Sequence, residues 1–84
     1  MKNYMLDKRL NSSDKVILEL FNDCKDERSQ ISMEQGKLGE ILGITRQTVA
    51  RSLNRIIDSG YLTKEYLGKT RSYRLRGVKE VRLK

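Results

Sequence analysis

The sequence predicts a mainly α fold in which three helices are followed by a small β-hairpin. Two observations predict it. Between positions 12 and 59, apolar residues recur at the three- and four-residue spacing of amphipathic helices. Residues 61–76 then form two short alternating runs on either side of Gly68-Lys69. A chain of 84 residues has the length of one small domain with a modest core.

The first segment, residues 1–11, is expected to form an additional short helix with apolar residues Tyr4, Met5, Leu6 and Leu10. The first core helix should begin at Ser12-Ser13-Asp14, because hydroxyl and acidic side chains favour a helix N-terminus. Its expected apolar face consists of Val16, Ile17, Leu20, Phe21 and Cys24. The pattern therefore predicts that Cys24 is an inert core residue.

The polar stretch 23–30 predicts a loop before the second helix. Ser32, followed three residues later by Gln35, predicts a capping box in which Gln35 reaches back to the cap. The second helix should then run to about Leu42. Gly36 inside it costs on the order of 1 kcal/mol relative to alanine, so this helix depends on tertiary contacts.

The stretch from Leu38 to Arg51 has the pattern of two helices joined by a tight turn. Gly39 lies where the two helices must approach closely, and Gly43 can adopt the left-handed turn conformation. Thr45 is placed to cap the third helix with its hydroxyl. That helix is expected over residues 46–59, with Val49, Leu53, Ile56 and Ile57 facing the core.

Residues 61–67 and 70–76 predict two strands joined by a two-residue turn, Gly68-Lys69. This register pairs Leu62 with Leu75, Lys64 with Tyr73 and Tyr66 with Arg71. Three helices followed by such a hairpin, the wing, make a winged helix-turn-helix, so residues 1–84 are expected to form one such domain. Residues 77–84 either add a short strand or remain a tail.

The charge of the chain is distributed unevenly. The net charge is +7, yet residues 1–44 contain seven basic and eight acidic side chains. Residues 45–84 contain eleven basic and only three acidic side chains, so the whole excess lies at or after the third helix. For solubility alone, the excess of basic side chains could be spread evenly along the chain. This concentration therefore favours an acidic polymer, nucleic acid, as the partner.

Other features exclude classes of protein. The chain has one cysteine and no histidine, which excludes an internal disulfide and a cysteine/histidine zinc site. No apolar run approaches the roughly 20 residues of a membrane span, and no signal-peptide core follows Met1, so a cytoplasmic location is expected. No glycine loop for phosphate and no defensible carboxylate pair is present, so neither an enzyme nor a cofactor is predicted.

One segment carries a family resemblance. Gly43 to Arg51, Gly-Ile-Thr-Arg-Gln-Thr-Val-Ala-Arg, resembles the signature of the C-terminal DNA-binding domain of the Crp/Fnr transcription regulators. A looser likeness covers about residues 13 to 75. The family's sensor domain and long dimerisation helix have no counterpart here, so the chain is either an excised domain or a small regulator. The resemblance implies DNA binding but no effector.

The resemblance also implies roles for individual residues of the third helix. Arg46, Gln47 and Arg51 would read bases, and the hydroxyls of Thr45 and Thr48 would hold phosphates. Many members have glutamate where this chain has Gln47, and glutamine can pair with adenine, so the preferred base should differ.

Further DNA contacts are expected outside this signature. Asn54 and Arg55 lie on the side of the third helix opposite its core stripe and are expected to contact phosphates. Lys69 and Arg71 in the wing either bind phosphate or protect a sheet edge from pairing with other chains. Tyr66 and Tyr73 either stack on bases or pack within the hairpin.

The sequence therefore predicts a sequence-specific transcription regulator that inserts helix 46–59 in the major groove of double-stranded DNA. One small module covers part of a site, so a homodimer on a palindrome is expected. The dimer would form through the apolar residues of segment 1–11 or through the tail, and a contact with RNA polymerase is left open. Two alternatives remain: a phage or plasmid replication or partition factor, and a winged-helix protein-interaction module, against which the basic second half argues.

Overall fold

The computed structural model describes residues 1–67 and 70–82. Its elements are a 3₁₀ turn, Asn3–Leu6, followed by α1 (Ser12–Cys24), β1 (Gln30–Ile31), α2 (Gln35–Leu42), α3 (Arg46–Asp58), β2 (Leu62–Leu67) and β3 (Thr70–Leu75). The predicted three helices and hairpin are thereby confirmed. The predicted Gly68-Lys69 turn and the last two residues of the tail lie outside the described residues.

The three strands form one antiparallel sheet in the order β1-β3-β2. The predicted hairpin register is confirmed: Leu62 pairs with Leu75, Lys64 with Tyr73 and Tyr66 with Arg71. The prediction of a loop over 23–30 is wrong at both ends, because α1 continues to Cys24 and Gln30 already pairs with β3. A two-residue strand has no periodicity of its own, so only its partner strand makes it recognisable.

The core lies between the helices and one face of the sheet. Its buried apolar side chains are Tyr4, Leu10, Ile17, Leu18, Phe21, Ile31, Leu38, Val49, Leu53, Ile56, Tyr61, Leu62, Tyr73 and Leu75. The α3 stripe is as predicted except that Ile57 is only half-buried. The rings of Phe21 and Tyr73, 5.9 Å apart, join α1 to β3 across this core.

The predicted inner face of α1 is partly wrong. Asp14, Ile17, Leu18 and Phe21 face the core, whereas Val16 is 49% exposed and Cys24 is exposed. The helix is therefore rotated relative to the apolar stripe that the sequence suggests. On the buried face, the Asp14 carboxylate contacts α3, as described below.

The first segment does not form the expected helix. It contains a four-residue 3₁₀ turn in which Tyr4 is fully buried, while Met5 and Leu6 remain exposed. The Tyr4 hydroxyl donates a hydrogen bond of 2.6 Å to the Glu19 carboxylate of α1. The backbone amide of Asn3 donates to the Lys79 carbonyl at 2.8 Å, so the first segment is held to the tail as well as to the core.

The predicted capping box at the start of α2 is also wrong. The residue before the helix is Glu34 rather than Ser32, and its side chain makes no capping hydrogen bond. The side-chain amide of Gln35 donates instead to the Tyr73 hydroxyl, from Nε2, at 3.3 Å. Since β1 ends at Ile31, residues 32–34 are needed to lead the chain out of the sheet before helical geometry begins.

Within the described residues, none of the helices is long and apolar enough to cross a membrane. The same residues contain no cluster of metal-ligating side chains.

Candidate nucleic-acid interface

The turn between α2 and α3 sets the angle between the two helices. Gly43 ends α2 in the left-handed conformation, with φ of 69°, as predicted. The Ile44 amide then donates to the Gly39 carbonyl at 3.0 Å. A β-carbon on Gly39 would lie 2.8 Å from the Ile44 carbonyl oxygen, which confirms the close approach that the sequence predicts at this glycine.

The start of α3 is fixed by two threonines. The Thr45 hydroxyl accepts a hydrogen bond of 3.1 Å from the Thr48 amide, which confirms the predicted N-cap. The two hydroxyls are 2.8 Å apart and share a hydrogen bond. The exposed cap therefore carries a pair of ordered hydroxyls directly beside the first turn of α3.

The outer face of α3 presents the three predicted base-contacting residues together with Asn54, a predicted phosphate contact. Arg46, Gln47, Arg51 and Asn54 are all exposed, whereas Val49 and the rest of the core stripe are buried. Gln47, Arg51 and Asn54 follow helical i, i+4, i+7 spacing and so form one ridge. The structure thus brings arginine and amide donors onto a single accessible ridge.

Arg55, a predicted phosphate contact, has a different partner. Its guanidinium donates to both carboxylate oxygens of Asp14, at 2.6 and 3.1 Å. Asp14 is fully buried. Its carboxylate also accepts a hydrogen bond of 3.0 Å from the backbone amide of Asn11, as part of a capping box. Arg55 therefore links α3 to α1, and its contact with phosphate stays a prediction.

Burial alone would raise the pKa of the Asp14 carboxyl. The hydrogen bonds from the Arg55 guanidinium and the Asn11 amide outweigh burial, so this pKa lies below its ordinary value of 3.8. Asp14 is accordingly a charged group in the folded protein at neutral pH. Sequence reasoning missed this pairing, because partners 41 positions apart leave no local signal.

In the wing, an exposed aromatic side chain lies near a cationic one. Tyr66 is 61% exposed, and the Arg71 guanidinium lies 6.0 Å from the centre of its ring. Tyr73, by contrast, is fully buried. Of the two tyrosines, only Tyr66 is therefore accessible to a ligand. Lys69, the other predicted wing contact, lies outside the described residues.

A comparison with protein families agrees with this geometry. The sequence model of the family described as Crp-like helix-turn-helix domain matches residues 15–79, most of the chain. The chain belongs to this family. It is therefore a DNA-binding protein with a winged helix-turn-helix fold, and the matched family is not a catalytic one. Comparisons with curated proteins and with solved structures gave no match.

The Crp-like match begins after Asp14, yet the residues before it belong to the folded unit. Tyr4 and Leu10 are core residues. Asp7 accepts a hydrogen bond of 2.8 Å from the Tyr61 hydroxyl, just beyond the end of α3. In this Crp-like domain, the first segment therefore contacts the chain just beyond the C-terminal end of α3, away from the exposed first turn of that helix.

Proposed function

We propose that this Crp-like domain is a sequence-specific transcription regulator that places α3 in the major groove of double-stranded DNA. The observation that carries the proposal is the exposed ridge of α3 with Arg46 beside it, because major-groove helices read bases with such side chains. The basic excess of residues 45–84 supplies the sequence-independent part of the attraction to DNA.

The proposed role of each side chain follows from its chemistry. Arg46 and Arg51 donate to the O6 and N7 atoms of guanine, and Gln47 pairs with the N6 and N7 atoms of adenine. The Thr45 and Thr48 hydroxyls, together with Asn54, contact phosphates at the edge of the groove and fix the register of the helix. Arg71 and Lys69 contact phosphates from the wing.

A single recognition helix reads only a few base pairs, so we propose that two copies bind a palindrome with half-sites about one helical turn apart. Tyr4 and Leu10 are buried and unavailable for dimerisation. Of the predicted dimer surfaces, the exposed Met5 and Leu6 and the alternative surface on the tail remain. A cytoplasmic location is part of this proposal, and a contact with RNA polymerase stays a prediction.

Selection of binding sites from random duplex DNA tests this function. We expect enrichment of a palindromic motif, and footprinting should show two protected major-groove segments on one face of the duplex. A protein that binds every duplex equally, without an enriched motif, would be a non-specific DNA-binding protein. No duplex binding at low salt would instead favour the protein-interaction module.

A further inference from the structure

A cleft of about 520 Å³ separates the wing from the starts of α2 and α3. It is lined by Ser32, Glu34, Gln35, Arg46, Tyr66 and Arg71, among others. We propose that this cleft receives the sugar–phosphate backbone of one DNA strand, and that Glu34 limits how tightly the strand is held. The proposal rests on the proposed function, because it assumes that α3 enters the adjacent groove.

The position of the cleft follows from its two walls. One wall is Arg46, the first residue of α3, at the base of the ridge proposed to read bases. The other wall is the hairpin pair of Tyr66 and Arg71, which the register places close to the wing tip. A strand bordering the groove that α3 enters would therefore run between these walls, with an arginine on each side.

Tyr66 positions Arg71 within this cleft. An exposed aromatic ring beside a guanidinium attracts the cation and reduces its freedom of movement. The planar guanidinium keeps its edge donors available while its face lies near a ring, and those donors match the geometry of a phosphate. Tyr66 therefore acts through Arg71, and its hydroxyl is not required.

Glu34 opposes this attraction. Its carboxylate stands at the N-cap of α2 without capping the helix, and the side chain is exposed at the cleft. An anion in that position repels a phosphate whatever the base sequence. Glu34 thus lowers the affinity of the domain for all DNA, which leaves a larger share of binding to the base contacts of α3.

The test measures binding of the whole chain to two labelled duplexes, one of random sequence and one selected as above, over a range of salt concentrations. Glu34→Gln should tighten binding to both by about two- to fivefold, the effect expected of one exposed charge. Glu40→Gln is the matched control, because it removes an exposed carboxylate from α2, the helix that Glu34 precedes, at a position outside the cleft. A gain in affinity cannot arise from a loss of folding.

The wing residues provide the second arm. Arg71→Ala should weaken binding to both duplexes and reduce the slope of log affinity against log salt by about one unit, whereas Arg76→Ala, at an exposed arginine beyond β3, is the control for charge. Tyr66→Ala should weaken binding, Tyr66→Phe should not, and Tyr66→Ala should have no further effect when Arg71 is already alanine.

The outcomes separate this inference from the proposed function. If the wild-type protein binds neither duplex, the proposed function itself fails. If it binds both, but Glu34→Gln behaves like Glu40→Gln and Arg71→Ala behaves like Arg76→Ala, the cleft does not hold the backbone. Binding by α3 would then stand without it.

Discussion

The buried carboxylate of Asp14 in α1 accepts two hydrogen bonds from the guanidinium of Arg55 in α3, the shorter of them 2.6 Å. This pair connects the first core helix directly to the helix that we propose reads DNA. The same carboxylate accepts a hydrogen bond from the backbone amide of Asn11 and so completes the capping box at the start of α1. One side chain therefore fixes both the start of α1 and the orientation of α3.

Removal of Arg55 should destabilise the fold. Arg55→Ala leaves Asp14 charged and buried without its partner, so we expect the free energy of unfolding to fall by about 2 kcal/mol in urea titrations. Arg51→Ala, which removes an exposed arginine one turn earlier in α3, should change it by less than about 0.5 kcal/mol. A reduced salt slope for DNA binding by Arg55→Ala would show instead that Arg55 contacts phosphate.

The stability of the protein in acid should depend on Asp14. Its pKa in the folded protein lies below the ordinary 3.8, so the folded state binds fewer protons than the unfolded state in this range. The stabilisation is complete above the unfolded pKa and is lost as pH falls through the folded pKa. We expect the free energy of unfolding of Asp14→Asn to fall less steeply below about pH 5 than that of the wild type. Parallel curves would contradict this role.

Two glycines of α2 should respond oppositely to alanine. At Gly39 the new β-carbon would lie 2.8 Å from the Ile44 carbonyl oxygen, whereas at Gly36 it would meet nothing within 4 Å. Gly39→Ala should therefore destabilise the fold by about 1–2 kcal/mol, and Gly36→Ala should stabilise it by about 0.5–1 kcal/mol. Thermal unfolding of the two variants measures the difference. Equal shifts would mean that α2 and α3 do not approach closely.

At Gly43 the cost of substitution is conformational. There is open space around a β-carbon at this position, but φ is 69°. Gly43→Val should cost more than about 1 kcal/mol, because a β-branched residue resists the left-handed region. Gly43→Asn should cost less, since asparagine tolerates that region. If both variants unfold at the wild-type temperature, the turn is not left-handed.

Arg51 should contribute to sequence recognition. Arg51→Ala should weaken binding to the selected site by about 1–3 kcal/mol and relax the preference at one base position. Fluorescence anisotropy with the selected duplex and its single-base variants measures both effects. An equal loss on random DNA would make Arg51 a phosphate contact instead.

Local signals determined the helix-turn-helix and the hairpin. Gly39, Gly43 and Thr45 each meet a requirement of the turn that can be recognised from a few neighbouring residues, namely a close approach, a left-handed backbone or a hydroxyl cap. The hairpin register followed from strand alternation around a two-residue turn. These features depend on short stretches of chain, so the sequence alone was sufficient for them.

Contacts between distant residues decided the rest. The face that α1 buries includes Asp14, whose partner Arg55 is distant in sequence, and the two-residue strand β1 exists because Gln30 and Ile31 pair with β3. The Gln35 side chain likewise donates to the Tyr73 hydroxyl and does not form the predicted capping box. In each case, the local pattern allowed more than one arrangement. The free energy of interaction with a partner that is distant in sequence selected one of them. Only the tertiary structure could reveal that partner.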